Sequence, residues 1–109
     1  MQHGQSREQM DTMNFDVEAY GFPTESGRAT ATLVMKQQGR KCLICYFDLD
    51  TGEKLMLTAW WKDAVQSFCA RYSDLDLSMV EIGTRMEIAY DLTESGRSLF
   101  LYANTEERA

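Results

Sequence analysis

The fold of this chain is decided by residues 28–61, which read RATATLVMKQQGRKCLICYFDLDTGEKLMLTAWW. Three runs rich in β-branched, aromatic and aliphatic residues lie in this stretch, separated by two short sequences with turn chemistry. We predict hairpin turns at Gln38-Gly39 and Thr51-Gly52. The strands that these turns join are Arg28–Gln37, Lys41–Leu49 and Lys54–Trp61. The stretch therefore predicts a three-stranded antiparallel sheet.

The residues on both sides of this stretch carry further periodic patterns. Asn14–Phe22 alternates polar and apolar residues, which predicts a strand that is either the first of the domain or an extra one. Ala64, Phe68 and Tyr72 recur four residues apart, which predicts one helix near residues 63–72.

A final hairpin is predicted near the end of the chain. Thr84–Leu92 and Arg97–Asn104 alternate again around a turn at Ser95-Gly96. The predicted order of elements is thus β-β-β-β-α-β-β. A helix between the third and fourth strands of a five-stranded barrel is the layout of the OB-fold, although one strand is left over. We predict a mainly β, OB-fold-like barrel, with a curled sheet packed on one helix as the alternative.

Length and composition indicate one small soluble domain. The chain has 109 residues, of which 44% are hydrophobic, enough for a single core. No apolar run reaches the ~20 residues of a membrane helix. Three cysteines suit a reducing compartment better than a disulfide framework, so we predict a cytoplasmic protein. The predicted divisions are a flexible tail at 1–13, the domain at 14–104 and a short tail at 105–109.

The charge is distributed unevenly along the chain. The formal net charge is −6, which counts against simple nucleic-acid binding because the usual footprint is basic. However, the ionisable residues of segments 1–27, 28–62 and 63–109 sum to −4, +3 and −5, respectively. The basic middle segment is the one that carries the three predicted strands.

The two predicted turns assign one face of the central strands to the core. A two-residue turn fixes which residues lie opposite one another, and this pairing fixes the side of the sheet to which each points. The predicted core face is strongly apolar. Its members are Ala31, Leu33, Met35, Cys42, Ile44, Tyr46, Leu55, Leu57, Ala59 and Trp61.

The opposite face predicts a ligand surface. It combines threonines with Phe47 and Trp60, and by parity it collects five basic residues and no acids. Aromatic side chains in a positive groove are typical of single-stranded nucleic-acid binding. Arg97 joins the set as a turn residue that borders the groove of an OB barrel, its alternative being a solvated turn arginine. The predicted nucleic-acid-binding residues are Arg28, Lys36, Lys41, Phe47, Lys54, Trp60, Lys62 and Arg97.

The adjacent tryptophans point to opposite faces of the predicted strand. We predict Trp61 in the core and Trp60 at the ligand surface, where it stacks on a base. The alternative for Trp60 is packing beneath the predicted helix, and the sequence weights the two equally.

No catalytic, metal or cofactor site is predicted. Cys42 and Cys45 form a CxxC, but residues three apart on a strand point to opposite faces and cannot share a metal. The acidic run Asp48–Glu53 is explained as a hairpin with charged ends. His3 is the only histidine and lies in the predicted tail, so a nucleophilic triad has no ordered base. We therefore predict a protein that is not an enzyme.

Several segments resemble the bacterial single-stranded-DNA-binding protein family. The likeness spans residues 14–104 and is carried by patterns such as NFDV at 14–17, LTAWWKDA at 57–64 and IGTRME at 82–87. In that family a tryptophan before a basic residue ends the strand that leads to the helix, and Trp60 or Trp61 matches it. The resemblance implies an OB-fold and binding of single-stranded DNA.

Two functions follow from the sequence. The first is binding of single-stranded DNA or RNA through the basic, aromatic-bearing face. The second is a protein-interaction module or inhibitor that meets a basic partner through acidic surfaces. Homo-oligomerisation is left open, and a membrane partner is not expected. The acids that support the second function are Asp74, Asp76, Glu81, Glu87, Asp91 and Glu94.

Overall fold

Six antiparallel strands curl into a nearly closed barrel in the computed structural model, which describes residues 15–105. The strands lie in the sheet in the order β4-β3-β2-β1-β5-β6. Their bounds are β1 Gly27–Gln38, β2 Cys42–Leu49, β3 Lys54–Lys62, β4 Ser67–Cys69, β5 Arg85–Leu92 and β6 Ser98–Thr105. The predicted mainly β architecture is confirmed, and the arrangement is consistent with an OB-fold-like barrel. Within the described range β6 ends one residue later than expected, and residues 1–14 and 106–109 lie outside it.

The barrel closes between the segment after β4 and strand β6. The backbone N–H groups of Arg71 and Tyr72 donate to the carbonyl oxygens of Phe100 and Leu101, both at 2.8 Å. The Ser73 hydroxyl continues this seam by donating to the Ala103 carbonyl at 2.6 Å. These bonds satisfy the outer edge of β6, which would otherwise present unpaired backbone groups.

The predicted helix at 63–72 is wrong. Residues 63–66 form a tight turn in which Gln66 has a φ of 52°, and the chain then returns as β4. Trp61 pairs with Phe68 across the β3–β4 ladder. Residues spaced four apart can also lie along a turn and a short strand, and pairing with the edge of β3 prevails over the local periodicity. The helices among residues 15–105 are two 3-10 turns, Val17–Ala19 and Leu77–Met79.

The predicted strand at Asn14–Phe22 is also wrong, apart from Asn14, which lies outside the described residues. Val17–Ala19 is a 3-10 turn, and a single parallel bridge joins Gly21 to Leu55. Phe15 and Tyr20 pack on the ring of Tyr46 in β2. The aromatic residues of this segment therefore cover the outside of the barrel and do not add a strand to its sheet. The predicted first strand is thereby removed, but the sheet still has six strands because β4 forms where the helix was predicted.

The predicted register places β2 with the wrong side facing the core. Cys45, not Tyr46, lies opposite Leu57, because the β2–β3 loop is closed by the bond from Leu49 N to Glu53 O and is longer than the predicted two-residue turn. A shift of one residue exchanges the two faces of a strand.

A β-bulge contributes to the same error on the other side of β2. Leu33 lies opposite Phe47, and the register shifts between Leu33 and Met35, so that Met35 meets Tyr46. The β1–β2 loop also spans more residues than expected, since Gln38 pairs with Leu43. The predicted inward positions of Ala31 and Leu33 are nevertheless observed.

The core lies inside the barrel and draws on five of the strands and the second 3-10 turn. Its fully buried large side chains are Phe47, Leu33, Leu57, Leu77, Met86, Ile88 and Cys45. Each buried aliphatic or aromatic side chain contributes ~1.5–3 kcal/mol relative to an exposed one. No helix within residues 15–105 is long and apolar enough to cross a membrane.

Candidate nucleic-acid interface

An open cleft of about 660 Å³ lies between β3 and the β5–β6 turn. We call it the Trp60 cleft. It is lined by Phe22, Thr58, Trp60, Thr93, Ser95, Gly96, Arg97, Ser98 and Leu99. Aromatic rings, hydroxyl groups and one cation thus meet in this cleft.

A second hollow continues the Trp60 cleft towards the β3–β4 end of the barrel. Its volume is about 260 Å³, and it shares Trp60, Ser98 and Leu99 with the cleft. It adds the side chains of Lys62 and Arg71. The two hollows form a continuous surface with three basic residues beside an exposed ring.

Trp60 is held at the surface by its position in the sheet. It lies between Cys42 of β2 and Cys69 of β4, and its alternation with the buried Ala59 turns it outward. The side chain is 58% exposed, so the predicted surface position is confirmed. An indole face open to solvent can stack on a nucleobase.

Trp61 is not the core residue that the sequence predicts. It is 44% exposed, and its ring packs edge-to-face on Phe68 at a centroid distance of 5.1 Å. Its Nε1–H donates to Asp63 at 2.8 Å. Although Trp61 continues the inward alternation of Leu57 and Ala59, it lies near the end of β3, where it contacts Phe68 of β4 and stays partly exposed.

Arg97 enters the cleft from the β5–β6 turn. Gly96 takes a φ of +87° there, a conformation that favours glycine, and the Arg97 N–H donates to the Thr93 hydroxyl at 3.0 Å. Within the described residues the Arg97 guanidinium has no ion pair. It is therefore free to meet an anionic ligand.

Lys62 and Arg71 are more constrained. The Lys62 ammonium donates to the Ser73 carbonyl at 2.9 Å and pairs with Asp74 at 3.0 Å. The Arg71 guanidinium lies 5.6 Å from the centre of the Tyr72 ring. Both side chains border the cleft, but Lys62 would exchange an existing partner for a ligand.

The prediction that Phe47 is a stacking residue is wrong. It is fully buried, and its ring meets Phe100 edge-to-face at 5.8 Å inside the barrel. The cause is the register shift of β2, which turns Leu43, Cys45 and Phe47 inward. No surface of this ring is available to a base.

Lys36 and Lys54 are engaged within the protein. The Lys36 ammonium donates to the carbonyl oxygens of Leu77, Ser78 and Val80 at 3.3, 2.9 and 2.7 Å. These contacts fasten the second 3-10 turn to β1, which is a structural role rather than the predicted phosphate contact. Lys54 pairs with Asp48 at 3.2 Å.

Arg28 and Lys41 lie away from the Trp60 cleft. Arg28 is exposed on β1 and borders a shallow hollow with Glu87 and Tyr102. Lys41 is exposed in the β1–β2 loop, and its carbonyl accepts the Trp61 N–H at 3.2 Å. Neither side chain lines the cleft.

The cysteines and the acidic hairpin carry no reactive arrangement. Cys42 is half-buried on the outer face and Cys45 is buried inside the barrel. Burial raises the pKa of the Cys45 thiol to about 12, which disfavours the nucleophilic thiolate. Asp48 and Asp50 are used in ion pairs with Lys54 and Arg85. Within residues 15–105 no three His, Cys, Asp or Glu side chains form a metal-binding group.

The structure thus brings together Trp60, Lys62 and Arg97 of the predicted set. It adds Phe22 and Arg71, which sequence reasoning missed. Phe22 precedes a proline, and this position outside a strand is the one signal that could have set it apart from the core. Comparisons with protein-family models, curated proteins and solved structures gave no match to this chain.

Proposed function

We propose that this protein is a non-enzymatic binding domain for single-stranded nucleic acid, DNA or RNA, and that the Trp60 cleft is its binding surface. The observation that carries the proposal is the 58% exposed ring of Trp60 in a cleft that also holds Arg97, whose guanidinium has no ion pair within residues 15–105. Stacking on an aromatic ring is worth ~1–3 kcal/mol per base. The free cysteines suit a cytoplasmic setting for this role.

A single strand fits this surface better than a duplex. Trp60 lies in a cleft between strands rather than on a protruding element, so a base must be unstacked to reach its face. Phe22 supplies a second exposed ring, 48% accessible, in the same cleft. The hydroxyl groups of Thr58 and Ser98 offer hydrogen bonds to sugar or phosphate oxygens.

The charge balance predicts weak electrostatic attraction. The net charge is −6, and the cleft contributes Arg97 together with Lys62 and Arg71 beside it. Each neutralised phosphate of a single strand changes the slope of log K against log salt by about −0.7. Two or three contacts therefore give a slope of roughly −1.4 to −2.1, so most of the affinity should come from stacking.

Fluorescence anisotropy of labelled oligo-dT tests the proposal. Trp60→Ala should weaken binding by roughly 5- to 150-fold, the equivalent of ~1–3 kcal/mol, while the domain stays folded. Met79→Ala is the matched control, since Met79 is 76% exposed and lies in the second 3-10 turn, outside the cleft. If the wild-type protein binds neither oligo-dT nor oligo-rU at low salt, the proposal fails.

A basic protein partner is the second candidate ligand. Met79 and Ile82 are 76% and 53% exposed and flank Glu81. Exposed apolar residues beside acids are typical of interaction surfaces. This function is favoured if the protein does not bind nucleic acid and if Met79→Ala or Glu81→Gln weakens binding of a basic partner.

A further inference from the structure

We propose that residues 15–20 act as a displaceable strap that competes with nucleic acid for the outer face of β2 and β3. This inference rests on the proposed function and adds a form of regulation to it. The strap sits beside the Trp60 cleft, on the face that a bound strand would reach next. In the closed state it confines the ligand to the cleft, and in the open state it lengthens the binding surface.

The strap lies on the same outer face that carries Trp60. Its Phe15 and Tyr20 rings stack on each other at 5.0 Å with an angle of 22°. Both meet the ring of Tyr46 edge-to-face, at 5.4 and 5.6 Å. Tyr46 lies opposite Met56 in the β2–β3 ladder. Because strands rise ~3.3 Å per residue, Met56 and Trp60 are about 13 Å apart along β3, a span of two or three nucleotides.

The strap brings to this face the chemistry that a short single strand would bring. Its two stacked rings take the place of stacked bases, and its carboxylate side chains, Asp16 and Glu18, are both exposed. Lys54 lies beneath it, with its ammonium 5.2 Å from the centre of the Tyr20 ring. Without the strap, the aromatic ring of Tyr46 and the ion pair of Lys54 with Asp48 would be uncovered on the face that also carries Trp60.

The contacts of the strap are few enough to be broken without unfolding the barrel. Its 3-10 turn, Val17–Ala19, has no buried residue. Within the described part of the chain, the backbone hydrogen bonds of residues 15–20 join strap residues to one another. Its side chains are held by the Tyr20 hydroxyl, which donates to Asp48, and by the contacts of the Phe15 and Tyr20 rings with Tyr46 and Lys54.

The strap can leave while Phe22 stays in place. Gly21 is tied to β3 by two backbone bonds, from its own N–H to Lys54 O at 3.4 Å and from Met56 N to its carbonyl at 3.0 Å. Phe22 follows this anchor and lines the Trp60 cleft. Gly21 is therefore the hinge about which residues 15–20 would swing, and the cleft keeps both of its rings.

Binding of oligo-dT by a strap variant of the full chain tests the inference. Phe15→Ser combined with Tyr20→Ser removes both rings, so it should open the strap and tighten binding. Because the closed state still binds through the cleft, a gain of about tenfold requires a strap that is closed at least ~90% of the time in the wild type. Val17→Ser is the control: Val17 is 44% exposed in the same segment, so its substitution should leave affinity unchanged.

Hydrogen exchange of the wild-type protein gives a second readout that does not depend on the folding of a variant. Addition of oligo-dT should speed amide exchange at Val17–Tyr20 while it slows exchange in β3. Equal or weaker binding by the folded double variant, or slower exchange in the strap on binding, would overturn the inference and leave the proposed function intact. Absence of binding by wild type and variant alike would instead remove the proposed function, and the strap proposal with it.

Discussion

The Trp60 cleft and the neighbouring strapped face use similar residues and differ in whether those residues are already occupied. In the cleft, Trp60 is 58% exposed and Arg97 has no ion pair within the described chain. On the strapped face, Tyr46 is 3% exposed and Lys54 is paired with Asp48. The types of residue therefore indicate a candidate ligand surface. Whether that surface can bind a ligand depends on whether its side chains already have partners within the protein.

Phe47 and Trp60 of the central sheet also differ in whether they are available to a ligand. Phe47 and Trp60 belong to one predicted platform, yet Phe47 is fully buried and Trp60 is open. The difference comes from a one-residue shift of β2 relative to β3. Experiments can test each side of this comparison, and they are taken below in order of the size of the expected effect.

The largest effect is expected from Phe47→Ala. Removal of a buried phenylalanine costs ~3–5 kcal/mol, so urea denaturation should show a fall of this size in the free energy of unfolding. Phe22→Ala, at an exposed ring of the cleft, should cost less than about 1 kcal/mol and should weaken binding of oligo-dT. A stable Phe47→Ala variant with impaired binding would restore the predicted platform and refute the observed register.

The next largest loss of stability is expected from Lys36→Met. The substitution keeps the length of the side chain but removes the donor for the carbonyls of Leu77, Ser78 and Val80. An unsatisfied buried polar group costs ~1–3 kcal/mol. Because these hydrogen bonds are part-buried or exposed, we expect a loss of about 1–2 kcal/mol in thermal or urea melts. Binding of oligo-dT should not change. Lys41→Met, at an exposed loop position, should alter stability by no more than ~0.5 kcal/mol.

The stability of the protein at alkaline pH should report whether Cys45 lies on the buried face of β2. Burial raises the pKa of its thiol from 9.0 to about 12, so its contribution to stability is complete below pH 9 and is lost as the pH rises towards 12. At pH 10 the loss is on the order of 1 kcal/mol. Because the pKa values of Tyr46 and Tyr90 are also raised by burial, the informative quantity is the difference between wild type and Cys45→Ala. A pH profile identical in the two proteins would argue against a buried Cys45.

The smallest effect concerns the salt dependence of binding. Arg97→Ala should reduce the slope of log K against log salt by about 0.7, the value for one phosphate contact of a single strand. Lys54→Ala should change the slope by less, because its ammonium is paired with Asp48 at 3.2 Å and can reach a phosphate only while the strap is open. Titrations of labelled oligo-dT at four or more salt concentrations measure both. A larger change for Lys54 than for Arg97 would move the phosphate path from the cleft to the strapped face.

The local pattern of side chains was sufficient for the class of fold and for part of the site. Alternation of apolar and polar residues predicted every long strand of the barrel, and it correctly turned Leu57 and Ala59 inward and Trp60 outward. The same rule placed Cys42 and Cys45 on opposite faces. These features depend on the two-residue period of a strand, which each segment carries in its own sequence.

The tertiary structure alone decided which face of β2 is buried, whether residues 63–72 form a helix, and which charges are free. One additional loop residue reverses a strand, and nothing within the strand reports it. The partners of Lys36 lie 41 to 44 residues away in sequence. The Trp60 cleft joins Phe22, Trp60 and Arg97 from three distant segments. Such contacts form only when the barrel closes, because they are stabilised by interactions between residues that are distant in sequence and not by the local sequence of one segment.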